Sequence, residues 1–240
     1  MIRSIDIPVR EYPEDHLFGV KWWLKETKDL PLESMDSFFS ARLDDYPAHM
    51  ERWQEAYHRF PSLLPDGPLD ILDLGCGTGL ELDTILPAHP EFQVTGVDLC
   101  KEMLDQLQVK HPTVRILHGD FCAMDFGHHT YDGILSFQAL HHFMPRKKQQ
   151  LYHTLFHALR PGGFFLNCDY FACCDEEEQL LAQEFQLRCQ QQHLSSDTLV
   201  HFDIPLTVSH ECDLLEKAGF SSAELLSAHA GAAFLLAKKQ

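Results

Sequence analysis

Ile71-Leu72-Asp73-Leu74-Gly75-Cys76-Gly77-Thr78-Gly79 joins a short apolar run to three glycines within five residues. The run reads as a buried strand, and the glycines as a tight turn into a helix. Glycine lets backbone approach a ligand closely and takes dihedral angles that a Cβ obstructs. The helix after such a turn offers free N–H groups to a ligand's negative end. In an open α/β sheet this loop lies beyond the carboxyl end of the first strand, where ligands collect as strand order reverses. A dinucleotide loop needs G-x-G-x-x-G, but here the third glycine comes one residue early and Leu80 holds its place. No G-x-x-x-x-G-K-[ST] is present either.

Working outward, Leu69–Leu74, Gln93–Val97, Val114–Leu117, Gly133–Phe137 and Gly163–Asn167 are short apolar runs expected to be buried strands. Leu80–Leu86, Lys101–Lys110 and Lys147–Leu159 carry apolar residues at helical spacing between them. Strand–helix alternation predicts an α/β chain with a mainly parallel, doubly wound sheet and right-handed crossovers. Glu176–His193 predicts a long helix within an insertion over about 172–204. Val208–Ala218 predicts a later helix ending at Gly219, and Ser222–Ser227 with Ala232–Ala237 two final strands. Residues 1–68 hold Trp22, Trp23, Phe38, Phe39, Tyr46, Trp53 and Tyr57 among charged neighbours, with helical spacing from Pro47 to Phe60. They read as a helical lead-in or lid; Pro61, Pro65, Gly67 and Pro68 mark the entry to a main domain over 69–240.

The chain has 36 acidic and 19 basic residues, a formal net charge of −17. That balance repels a phosphate backbone, and Arg146-Lys147-Lys148 and Lys238-Lys239 are too small to reverse it. Nucleic acid is therefore not the expected partner. No window approaches the roughly 18 uninterrupted apolar residues of a membrane span, so a cytoplasmic location is expected. The eight cysteines lack the density of a disulfide scaffold and are expected to be reduced and mostly buried. Cys173-Cys174 beside four acids has the wrong spacing for a zinc clip, so no metal is expected.

Asp98 ends the second strand, 98 − 79 = 19 residues past the last glycine, where a carboxylate can accept both hydroxyls of a ribose. Asp120 follows the third strand, where it could accept from an adenine amine while Phe121 packs on the base. Together these residues describe an adenosine pocket.

At Asp73–Gly79, Val97-Asp98-Leu99, Gly119-Asp120-Phe121, Phe137–Phe143 and Leu159–Gly163 the chain resembles the class I S-adenosylmethionine-dependent methyltransferases. The wider run, including His201–Pro205, resembles a bacterial subgroup of them. The resemblance implies a Rossmann-like, seven-stranded sheet with its last strand antiparallel, and S-adenosyl-L-methionine as cofactor. It implies Gly75 and Gly77 under the methionine portion, Asp73 near its amino group, Asp98 at the ribose, and Cys76 and Leu99 among the cofactor-binding residues. Asp120, Phe121 and Phe137 belong to the same set, with Tyr46 closing over it.

A sulfonium is already an excellent leaving group, so positioning and desolvation supply most of the catalysis. Where the acceptor is a hydroxyl or a protonated amine, a base must take a proton. His141 and His142, after the fourth strand, are the best-placed imidazoles for that role. Glu81, in the first turn after the loop, suits the helix dipole; Asp169 and Tyr170 stand at the end of the fifth strand. The expected activity is methyl transfer to a small-molecule acceptor. The alternatives are a cofactor-binding regulatory module without transfer, or transfer to RNA or protein.

Overall fold

A computed structural model describes residues 8–229 and 231–240. Residues 1–7 of the expected lead-in, and Ala230 between the two final strands, lie outside the described residues. Seven strands form one sheet: β1 (Asp70–Leu74), β2 (Gln93–Asp98), β3 (Arg115–His118), β4 (Tyr131–Phe137), β5 (Leu159–Asp169), β6 (Ser222–His229) and β7 (Ala232–Lys238). Their order is β3-β2-β1-β4-β5-β7-β6. β1 to β5 run parallel, and β7 lies antiparallel between β5 and β6. The seven-stranded, doubly wound sheet with an antiparallel last strand is thus present.

Helices cover both faces because the strands are apolar on both sides. Ile71, Leu72 and Leu74 of β1 have no exposed surface, each worth about 1.5–3 kcal/mol of burial. On one face α7 (Pro145–Ala158) and α9 (Val208–Ala218) pack Leu151, Tyr152, Leu155 and Leu215 against Leu72, Ile134 and Phe165. On the other, α4 (Gln54–Leu63), α5 (Leu82–Ala88) and α6 (Lys101–Lys110) bury Phe60, Ile85 and Leu104 against Ile71, Val94 and Leu135. α9 starts where the Thr207 hydroxyl accepts from His210 N–H, and ends at Gly219 in the left-handed region, φ 113°.

The lead-in is helical, but in pieces: α1 (Pro13–Thr27), α2 (Met35–Ser40), α3 (Tyr46–Met50), a 3-10 turn over Glu51–Trp53, and α4. Pro47 opens α3, and the helical spacing from Pro47 to Phe60 is broken by that 3-10 turn. The insertion forms α8 (Asp175–Gln191), whose first turn is four acids. α1 and α8 share a third small core, Leu24 with Leu181, Phe185, Phe202 and Ile204. Buried Glu177 clamps the two together by accepting from His16 Nε2 (2.7 Å), Cys173 N–H (2.6 Å) and the Tyr170 hydroxyl. Among the described residues, no helix is long and apolar enough to cross a membrane.

Candidate active site

Parallel register brings the carboxyl ends of β1, β2, β3, β4 and β5 to one edge: Leu74 pairs with Val97 and Ser136, Asp98 with His118, and Phe137 with Cys168. β1 stands between β2 and β4, so its crossovers leave in opposite directions and open a crevice at its end. The loop Gly75–Gly79 turns there. Gly75, Gly77 and Gly79 all have positive φ, 68°, 49° and 75°. A Cβ on Gly75 would stand 2.6 Å from the Ala139 Cβ. Only glycine lets this backbone and the β4 loop come so close.

A narrow pocket lies over this loop, lined by Gly75, Gly77, Asp98, Leu99, Asp120, Phe121 and Phe137, and roofed by Met35, Phe39 and Tyr46 of the lead-in. Eight of the ten expected cofactor residues line it: Tyr46, Gly75, Gly77, Asp98, Leu99, Asp120, Phe121 and Phe137. The Cys76 side chain does not. Its N–H bonds the Val97 carbonyl (3.1 Å) and its side chain, 2% exposed, packs under β2, where a Cβ on Gly96 would meet its sulfur at 2.8 Å.

Asp73 also lies off this lining. Its side chain has no exposed surface and lies beneath the loop, facing the side chain of Glu81. Both Asp73 oxygens and Glu81 Oε1 have no other hydrogen-bond partner. The two carboxyls bond only while they share a proton. Burial pushes Asp73 up to about 7, and burial with the charge of Asp73 raises Glu81 well above the usual carboxylate range. Glu81 thus faces inward rather than serving the helix dipole.

Asp98 is set by backbone. Its Oδ2 accepts from Gly77 N–H (2.9 Å) and its Oδ1 from Cys100 N–H (2.8 Å). Burial raises its pKa against the opposing effect of these bonds. Asp120 Oδ1 accepts from Cys122 N–H (2.9 Å), and its Oδ2 stands 3.4 Å from Lys147 Nζ. Phe121 and Phe143 meet edge to face, 5.3 Å between centroids, as an apolar wall.

These residues fit S-adenosylmethionine. The carboxyl pair under the loop, which holds a proton while empty, would ionise more readily beneath a cationic group. At Gly77 a Cβ would enter the pocket side, 3.5 Å from the Met103 sulfur and the Tyr46 hydroxyl, and acids at the ends of β2 and β3 stand beside flat apolar walls. Ligand pockets run about 300–1,000 Å³; the present one is narrow, with Phe39 and Tyr46 of the lead-in among its lining residues.

A second cavity, about 1590 Å³, adjoins the first. It is walled by α1, by Arg42, Arg52 and Trp53 of the lead-in, and by His141, His142, Tyr170, His201 and Asp203. Phe39, Tyr46, Gln138 and His142 line both spaces and mark their junction. Gln138 has a positive φ, 49°, and an unpartnered buried Nε2, a strained geometry of the kind concentrated at functional sites. Gln138, Phe39 and Met35 escaped sequence reading as site residues. Only the position of Gln138, directly after a buried strand, was a signal.

His141 and His142 occupy a 3-10 turn over Leu140–His142 at the end of β4, both buried. His141 Nδ1 lies 2.5 Å from Asp169 Oδ1, and its Nε2 is 3.4 Å from Asp203 Oδ1. Burial alone lowers His141, but the charge and hydrogen bond of Asp169, with Asp203, outweigh it and push it up to about 9. His142 Nδ1 is 3.2 Å from the Phe202 carbonyl and 3.4 Å from Asp203 Oδ1. Burial and neighbouring His141 hold it well below the usual histidine range.

Residues 71–163 match the family profile described as a methyltransferase domain. A stretch of 91 residues is 36% identical to the malonyl-[acyl-carrier protein] O-methyltransferase of Halalkalibacterium halodurans, covering 34% of this chain and 33% of that one. Over 106 residues it is 28% identical to 24-methylenesterol C-methyltransferase 3 of Arabidopsis thaliana, covering 42% and 29%. The matched region thus spans a third or less of these relatives. Human N-acetylserotonin methyltransferase in complex with its methyl donor has the same fold, with a TM-score of 0.65 at 20% identity over 94% of this chain and 66% of that one. So has an S-adenosylmethionine dependent methyltransferase from Mesorhizobium loti, with a TM-score of 0.58 at 19% identity over 78% and 100%.

Proposed function

We propose that this chain, a member of the class I S-adenosylmethionine-dependent methyltransferase superfamily, moves a methyl group from S-adenosylmethionine to a small organic acceptor held in the large cavity. The observation that carries this reading is the junction: a pocket with the family's loop and acids meets a 1590 Å³ cavity at Phe39, Tyr46, Gln138 and His142.

The cofactor supplies a methyl group on a sulfonium that departs readily. Asp98 would hold the ribose, Asp120 with Phe121 the adenine, and the backbone at Gly75 and Gly77 the methionine portion. Phe39 and Tyr46 exclude water at the junction, which strengthens every charge interaction inside. Activation of the acceptor falls to His141 and His142. Residues 8–68 act as the lid, and the α8 insertion with the 199–204 loop shapes the acceptor side.

A purely regulatory module would have its acceptor side packed shut, whereas here it is open. A macromolecular acceptor would call for a positive stripe, but Arg10, Arg42 and Arg52 alternate with Glu11, Asp15, Asp45 and Asp203 around the cavity. Calorimetry with S-adenosylmethionine tests the cofactor half of the proposal. Saturable binding that Asp98→Ala abolishes is expected; no binding by the wild-type chain refutes it.

A further inference from the structure

We infer that His141, His142 and Asp203 form a binding site for a zinc-class divalent cation in the wall of the large cavity. Donor atoms of the three lie within 4.8 Å of one another. Asp203 Oδ1 is 3.4 Å from His141 Nε2 and 3.4 Å from His142 Nδ1, longer than ordinary hydrogen bonds. Ligands about 2.0–2.1 Å from a tetrahedral zinc stand about 3.3–3.4 Å from each other. Both separations therefore match an edge of that tetrahedron.

The surroundings prepare the donors. Asp169 engages His141 Nδ1 at 2.5 Å and is itself fixed by Leu140 N–H (3.1 Å) and Tyr170 N–H (2.9 Å). A carboxylate on one ring nitrogen keeps the proton there and leaves the other nitrogen's lone pair for a metal, the carboxylate–histidine–metal arrangement. Asp203 is held against the pair because its neighbour Ile204 donates to the His141 carbonyl at 2.7 Å. Its side chain stays 38% exposed, while the imidazoles are 7% and 5% exposed. Binding replaces the contact of His142 Nδ1 with the Phe202 carbonyl, 3.2 Å. Two imidazoles and one carboxylate leave the fourth position of a tetrahedral ion open, as in catalytic zinc sites.

All three ligands line the large cavity, and His142 also lines the cofactor pocket. The open position therefore faces the acceptor space beside the junction. Its use rests on the methyl-transfer reading: the ion would hold an acceptor's hydroxyl or thiol and lower its pKa, the proton passing to water in the open cavity, the oxygen or sulfur taking the methyl group and the cofactor leaving as its neutral thioether. The histidine pair then activates the acceptor through the ion, and the acceptor class is one that bears such a group.

The test is zinc titration of the chelator-treated full chain by calorimetry, with cobalt as a visible probe. One equivalent should bind, with the strong visible absorption of four-coordinate cobalt. Asp203→Asn and His141→Gln should each weaken zinc more than 100-fold, Asp169→Asn about 10–100-fold, and Cys173→Ser with Cys174→Ser should change nothing. S-adenosylmethionine affinity, read on the same samples, should persist in Asp203→Asn and so report that the fold is intact. No saturable zinc binding, or zinc binding retained in both Asp203→Asn and His141→Gln, overturns the inference. Zinc binding without any S-adenosylmethionine binding sinks the methyl-transfer reading alone.

Discussion

Asp73→Asn should make the protein more stable at alkaline pH while weakening its hold on the cofactor. Asp73 is fully buried, faces Glu81 and has no other partner. Its proton is held to about pH 7 rather than the ordinary 3.8, so ionising it in place costs on the order of 4 kcal/mol. The native carboxyl binds its proton more tightly than the unfolded one. Stability from this group is therefore greatest below about pH 4, declines as pH rises, and is fully lost above about pH 7. Asparagine keeps the shape and removes the titration. Its advantage over wild type should grow by on the order of 3 kcal/mol between pH 5 and pH 8, several degrees in melting temperature for a chain of this size. Scanning calorimetry at the two pH values reads this. Affinity for the sulfonium cofactor should fall in the same variant, because the negative potential beneath the loop is gone. An advantage that is equal at both pH values, or a variant less stable at pH 8, refutes the reasoning.

Gly75→Ala places a Cβ 2.6 Å from the Ala139 Cβ at φ 68°. It should cost about 1–3 kcal/mol in strain and abolish cofactor binding, which thermal melting with and without cofactor will show. Glu211→Ala strands Lys148, 1% exposed, and removes the partner of the Tyr152 hydroxyl. A loss of about 3–5 kcal/mol in urea unfolding is expected. Glu177 is held down to about 2: burial would raise it, but the bonds from His16, Tyr170 and Cys173 prevail. Its contribution is present above about pH 4.5 and lost as pH falls toward 2. Limited proteolysis within α1 should thus be slow at pH 7 and rapid at pH 3 in wild type, and rapid at both in Glu177→Gln.

The parallel strands were legible because strands buried on both faces are short, mostly apolar runs, as Ile71–Leu74 and Ile134–Phe137 are, each with one buried polar residue, Asp73 and Ser136. The start of β5 was not, since Arg160-Pro161-Gly162-Gly163 has the composition of a turn. It is an irregular start to an interior strand, where the register with β4 shifts between Tyr131 and Gly133. Asp98 and Asp120 could be found because the ends of parallel strands gather at one edge, so sequence order predicts place. Cys76 and Asp73 show the limit of that logic: position in a loop locates a residue without saying which way its side chain turns. Asp203 carried no signal as a partner of the histidines. It arrives from a loop distant in the chain, held by backbone bonds that no local pattern encodes.

The most direct measurement is incubation of the purified chain with methyl-labelled S-adenosylmethionine and a cell extract, followed by size fractionation and mass identification of the labelled product. Label should enter low-mass compounds carrying a hydroxyl or thiol, and Asp98→Ala should abolish it. Label confined to macromolecules, or no enzyme-dependent label at all, would contradict a small-molecule methyltransferase.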